Sequence, residues 1–193
     1  MIKNYLILLV LISGISLNAQ MVTIEDIAMK ESRPGYGIVG QVAPELAVTQ
    51  WIDGSGEEST AFSLADQKGK FKVIYCFQAW CPGCHSRGLP SLQKMTKALE
   101  GNDKVVFAAI QTVFEGSHAN TYERMVEIQK EYNLQIPFGH DDGKETSRKI
   151  SSTMQNFRTG GTPWFILIDQ TGKVVFNDFH LKTDKAIEYL KNL

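Results

Sequence analysis

The sequence predicts an α/β layered domain with a mostly parallel central sheet closed by an antiparallel hairpin. Three observations carry this. Two continuous apolar runs, "KFKVIYCFQA" and "KVVFAAIQTV", have the β-branched and aromatic content of strands buried on both faces. Each is followed by a segment with helical apolar spacing. Near the C-terminus, "PWFILIDQTGKVVFND" reads as strand, turn and strand. Alternating strands and helices of this kind pack as a sheet covered by helices.

The elements follow in order. Met21 to Val39 has no clear period, and "SRPGYG" marks irregular chain. "GQVAPELAVTQW" leads into a first strand near Leu46 to Trp51, and the turn residues of "DGSGEES" predict an N-terminal hairpin. Ser63 is placed to cap a short turn. After Cys81 the pattern becomes helical, with Leu89, Leu92, Met95 and Leu99 on one face and "GND" as the stop. Tyr122, Met125, Ile128 and Tyr132 mark a second helix that ends near Asn133. "LQIPFGHDD" is a short extended segment, and a third helix is expected from about Lys144 to Asn156. Thr183 is the expected cap of a last helix, Asp184 to Asn192.

Composition bounds the function. The 193 residues suit one domain with a full core, and 43% hydrophobic with 21% charged residues is globular composition. Twenty cations against 21 anions give a net charge of −1, so no basic stripe points to nucleic acid. Residues 1–19 have a cation at Lys3, an apolar run from Tyr5 to Ile12, and small residues ending at Ala19. That is the order of a cleaved secretory signal peptide, and the run is shorter than the roughly 20 residues of a membrane span. The expected organisation is a signal peptide over 1–19, an irregular segment over 20–39 and one domain over 40–193. Cleavage would leave no stable membrane insertion.

Export shapes the reading of the three cysteines. Cys76, Cys81 and Cys84 are too clustered to staple a domain of this length. In "FQAWCPGCHSRGLP" the strand ends near Gln78 and the helix begins near Cys81, with Pro82 at the first helical position. The unpaired N–H groups and dipole of a helix N-terminus favour a thiolate on Cys81, and the thiolate is the nucleophile. Cys84, one turn on, can resolve a mixed disulfide. Zinc would require two further ligands, and His118, His140 and His180 are scattered. His85 follows the pair directly, as a thiolate partner or an exposed bystander. Cys76, in the strand, reads as a small hydrophobe.

"AWCPGC" after a buried strand, with "GGTPWFILID" downstream, resembles the thioredoxin superfamily. Together with "GQVAPELAVTQ", "FSLADQKGKFKVIY" and "TPWFILIDQTGKVVF", it is similar to the exported thiol–disulfide oxidoreductases of the TlpA/ResA type, whose layout is that of redoxin or AhpC/TSA-like domains. The resemblance implies a thioredoxin-like fold, a central mixed sheet flanked by helices with an N-terminal β-hairpin extension. It implies Cys81 as the attacking cysteine, Cys84 as the resolving one, and Trp80 and Pro82 shaping the site. It also implies a cis bond at Pro163, with Thr162 before it contacting an extended substrate. The implied partners are disulfide-containing exported proteins and a membrane electron donor, in the bacterial periplasm, with no cofactor or metal. The most direct reading is a protein disulfide reductase. A peroxiredoxin-like thiol peroxidase, or a copper metallochaperone using His140 or His180, are the alternatives. Three positions depart from the family pattern: Tyr75 stands where thioredoxins bury an aspartate, Arg87 where ResA-like members carry glutamate, and Pro90 one residue farther from Cys84 than usual, after Gly88.

Overall fold

The computed structural model describes residues 21–29, 34–60, 62–144, 146, 148 and 150–193. The proposed signal peptide lies outside these residues. Seven strands form one sheet in the order β2-β1-β5-β4-β3-β6-β7. They are β1 Gln50–Ile52, β2 Glu58–Ser59, β3 Phe71–Phe77, β4 Val105–Thr112, β5 Phe138–Asp141, β6 Trp164–Ile168 and β7 Val174–Asp178. The helices are α1 Ile24–Ile27, α2 Leu89–Ala98, α3 Tyr122–Glu131, α4 Ser152–Asn156 and α5 Thr183–Lys191.

β3 is the spine. All seven of its residues are buried, as its unbroken apolar run requires when both faces are covered. It pairs in parallel with β4 and antiparallel with β6. Among the described residues, only β3–β4 and β4–β5 are parallel pairs; β1–β2, β1–β5, β3–β6 and β6–β7 are antiparallel. The sheet is therefore mixed, and the expected parallel majority gives way to the two hairpins flanking a three-strand parallel centre.

Alternation along β3 divides the core. Val73, Tyr75 and Phe77 face a cluster that includes Cys81, Cys84, Leu89, Leu92, Met95 and Leu99. Ile74 and Cys76 face the opposite cluster, with Trp51, Ile110 and Trp164. The apolar stripe of α2 thus lies over the face that carries Tyr75.

Three local expectations change. The segment 20–39 holds a docked helical turn, α1, whose Ile27 is buried and whose Ala28 bridges to Leu181. The third helix is confined to α4 among the described residues. Before it, the Thr146 hydroxyl donates to the carbonyls of Gly143 and Ile150 and accepts from the Ile150 amide, so local side-chain bonds replace a helical ladder. α4 begins where Ser151 accepts from the Met154 amide and Asp141 accepts from the amides of Ser152 and Thr153. Finally, Thr183 is the first residue of α5 rather than its cap, and its hydroxyl bonds Ser91.

Candidate active site

The site forms where β3 ends. The Cys81 amide donates to the Gln78 carbonyl, and the Cys81 carbonyl accepts from the amides of Cys84 and His85. This turn starts a helix at Pro82, with proline where no donor is needed. Cys84–Gly88 then forms a π turn, in which the Leu89 amide donates to the Cys84 carbonyl five residues back. Pro90 has no N–H, so the α-type bond to Ser86 cannot form there. The wider turn takes up one extra residue before α2 resumes.

The two cysteines differ sharply in surroundings. Cys81 is nearly buried but retains 7% exposure, with its sulfur 3.5 Å from the Thr162 carbonyl oxygen. Cys84 is wholly buried. Burial first, then hydrogen bonding to Cys81 and the charge of Cys81, push the Cys84 thiol up to about 12, against the opposing pull of the Gln78 backbone and Tyr75. Both are free thiols, the dithiol form of the pair.

Thr162–Pro163 is a cis peptide, and Pro163 packs against the turn bearing the cysteines. A β-carbon at Gly83 would lie 3.2 Å from Pro163 Cδ. The expected neighbours of the pair are therefore gathered: Cys81, Cys84, Thr162 and Pro163 meet at one point. Trp80 flanks them, 46% exposed, which leaves a large apolar ring available to an incoming chain. Its indole nitrogen lies against Gly116, where a β-carbon would approach to 3.1 Å. Pro82 and Arg87 are both exposed.

Several residues that hold the site carry no short-range signal in the sequence. Asn120, buried, accepts from the Ala79 amide at 2.7 Å and donates to the carbonyls of Glu115 and Gly116. It ties the loop before the cysteines to the loop under Trp80. His85 is no bystander: Nε2 lies 2.6 Å from the Ala79 carbonyl and Nδ1 2.9 Å from the Tyr132 hydroxyl. A carbonyl only accepts, so Nε2 carries a proton here. Gly88 explains its own identity. Any β-carbon there would collide with the Tyr75 hydroxyl and come within 2.8 Å of Pro163 Cβ.

Tyr75 fills the space beneath the pair. Its ring stacks parallel to Phe77 at 5.9 Å and lies 4.8 Å from Phe165. Burial, before the nearby cysteines, drives its hydroxyl well above the usual tyrosine range. Cys76 is also fully buried, its thiol raised by burial, but it faces away from the pair into the opposite cluster.

The histidines named for copper sit apart from one another. His140, on β5, meets Gln111 Nε2 through Nδ1, and His180 follows β7 near Arg87. Among the described residues no group of three or more His, Cys, Asp or Glu side chains is placed to hold a metal ion.

The chain resembles known proteins over most of its length. Residues 38–187 match the Redoxin family. A crystal structure of a thioredoxin-like superfamily protein is 35% identical, with 72% of this chain and 86% of the other covered and a TM-score of 0.64. A thiol–disulfide isomerase from Corynebacterium glutamicum is 30% identical, covers 73% of this chain and 86% of its own, and has a TM-score of 0.63. The thioredoxin domain of a Bacteroides vulgatus thiol–disulfide oxidoreductase, at 22% identity, 80% and 94% coverage and a TM-score of 0.56, shares the fold. Among curated proteins none matches.

Proposed function

Because the chain belongs to the redoxin family of thiol–disulfide oxidoreductases, we propose that it acts outside the cytoplasm as a reductase of disulfides in client proteins. Cys81 is the attacking residue and Cys84 the resolving one. The observation that carries this is the asymmetry of the pair: one sulfur slightly exposed, the other wholly buried with a thiol pushed up to about 12.

The exchange balances as follows. The Cys81 thiolate attacks one sulfur of a client disulfide, that S–S bond breaks, and its electron pair leaves on the other client sulfur. The Cys84 thiol then loses its proton, and its sulfur attacks Cys81 Sγ. The Cys81–client bond breaks, and the second client sulfur leaves with the pair. The client gains two electrons and the Cys81–Cys84 pair becomes a disulfide. Trp80, Pro82, Thr162 and Pro163 shape the groove in which an extended client segment lies. By likeness to exported relatives, a membrane electron donor restores the dithiol.

The direction of flow is supported by the resemblance of "AWCPGC" and the segments around it to exported reductases of the TlpA/ResA type. Export is supported by the leader pattern of residues 1–19. No helix among the described residues is long and apolar enough to cross a membrane.

The test has two arms. Equilibration of the pair with dithiothreitol is expected to give a potential near that of thioredoxin, about −270 mV, and a value near −120 mV would reverse the direction. Cys84→Ala, expressed in the source cells, is expected to accumulate client proteins joined through Cys81 and to begin at Gln20 in the envelope fraction. A chain that keeps Met1, or a variant that traps nothing, would overturn export or client exchange respectively.

A further inference from the structure

The Tyr75 hydroxyl is a buried polar group whose one side-chain partner is the Cys84 thiol, a weak acceptor. Its residue is wholly inaccessible, and its oxygen makes no hydrogen bond of standard geometry. Leaving such a group so weakly paired is costly, and β3 would hold a phenylalanine in the same space without that cost. The surroundings nevertheless make room for the oxygen. Gly88 lacks the β-carbon that would strike it, and the π turn sets Gly88 over it. The hydroxyl shares its cluster with Cys84 and interacts with that thiol by a loose side-chain hydrogen bond, so each group alters the ionisation of the other.

We propose that Tyr75 is a positioning residue for the resolving step, donating its O–H to the Cys84 thiolate that forms within the mixed disulfide. The hydroxyl keeps its own proton throughout. Burial holds it far from ionising, so it does not act as a base, and the Cys84 proton departs to solvent or to the released client sulfur. The other titratable groups that interact with Cys84 are Cys81, Cys76 from β3 and Tyr132 at the end of α3. In the mixed disulfide Cys81 is bonded to the client and carries no proton to donate, which leaves Tyr75 as the side-chain donor whose hydrogen bond favours a charge on Cys84. The hydroxyl, weakly paired in the resting dithiol, is thus a partner held ready for a transient anion.

This rests on the assignment of Cys84 as the resolving cysteine, and the experiment separates the two. Reduced protein is mixed with dithiobis(nitrobenzoate), which releases one coloured thiolate when Cys81 attacks and a second when Cys84 resolves. Tyr75→Phe is compared with the native chain from about pH 6 to about pH 9, below the ordinary tyrosine range. A hydrogen bond to a charged group changes acidity by about one to two pH units, and roughly half of this is returned as lower nucleophilicity. The expected result is an unchanged first phase and a second phase slower by roughly three- to tenfold, with parallel pH profiles. The thermal midpoint of reduced Tyr75→Phe should equal or exceed that of the native chain, since the hydroxyl removed is buried and only weakly paired.

An unchanged second phase, an equal slowing of both phases, or a lowered midpoint would each overturn the proposal. Profiles that diverge with pH would assign Tyr75 as a base and overturn it as a donor. Release of only one coloured thiolate per chain by the native protein would instead defeat the two-cysteine assignment itself.

Discussion

Cys84 and Cys76 occupy regions that look alike by burial and differ in everything else. Both sulfurs are wholly inaccessible, and burial raises both thiols. Cys76 points into the face lined by Trp51, Ile110 and Trp164. Cys84 points into the face shared with Tyr75, and Cys81 lies one turn before it, slightly exposed. Burial alone therefore does not separate a structural cysteine from one poised for exchange. The difference is a second sulfur one turn away that retains slight exposure, and a proton-bearing neighbour at depth, both on the face carrying α2.

The contrast breaks most completely at Cys81. Cys81→Ala is expected to reduce insulin-disulfide reduction to background, at least a hundredfold loss, with the thermal midpoint barely moved. Residual turnover above that would give Cys76 a role the opposite face denies it.

Gly88→Ala is the next largest disturbance, on the face of Cys84. The added carbon meets the Tyr75 hydroxyl and Pro163, and overpacking of this kind costs about 1–3 kcal/mol. In Tyr75→Phe the hydroxyl is gone, so the same substitution should cost distinctly less. A double-mutant cycle by urea denaturation checks this, and full additivity would mean that the two groups do not touch.

Alkaline pH sharpens the comparison with no mutation. The native Cys84 thiol is raised to about 12 from an ordinary value of 9.0, so above pH 9.0 the folded reduced protein holds a proton that the unfolded chain releases. Stability of the reduced form should therefore be intact below pH 9.0 and fall by about 1.4 kcal/mol per pH unit from this group as pH rises toward 12. Cys76 contributes in both redox forms, but Cys84 only in the dithiol. The gap between oxidised and reduced unfolding midpoints should thus widen with pH, and a constant gap would contradict the assignment.

Cys76→Ala is the smallest expected effect. Removing one sulfur from a packed face should cost about 1 kcal/mol and change the exchange rate by less than twofold. The midpoint and insulin turnover measure the two separately.

The sequence exposes one side of this comparison far better than the other. The apolar run of β3 and the proline after Cys81 are local signals with physical causes, whereas the Thr162–Pro163 pair is legible only through the family resemblance; the structure brings all three to the end of β3. Asn120, Tyr132 and Gly88 act across the chain instead. Asn120 reaches Ala79 over 41 residues and Tyr132 reaches His85 over 47, and no periodicity encodes such distances. Gly88 is legible only with the Tyr75 hydroxyl in view. The helix expected from Lys144 is shortened for a different reason, because the Thr146 hydroxyl bonds the backbone of Gly143 and Ile150 and Asp141, from β5, fixes the start at Ser152. The excess of antiparallel pairs comes from β1 joining β5 at one end and β6 joining β3 at the other. Those are choices of partner, not of element.

The π turn at Cys84–Gly88 works as an expansion joint. Upstream, the cysteine turn stays seated on Pro163. Downstream, Leu89, Leu92 and Met95 keep their places over the sheet. The surplus residue is taken up within five positions and neither neighbour is rotated out of alignment. Deleting Ser86 should close the joint into an ordinary α turn with both ends still docked. The same deletion made within α2 would swing its apolar stripe by about 100° away from the core. A chain built this way can gain or lose one residue beside its reactive sulfur while the rest of the molecule keeps its register.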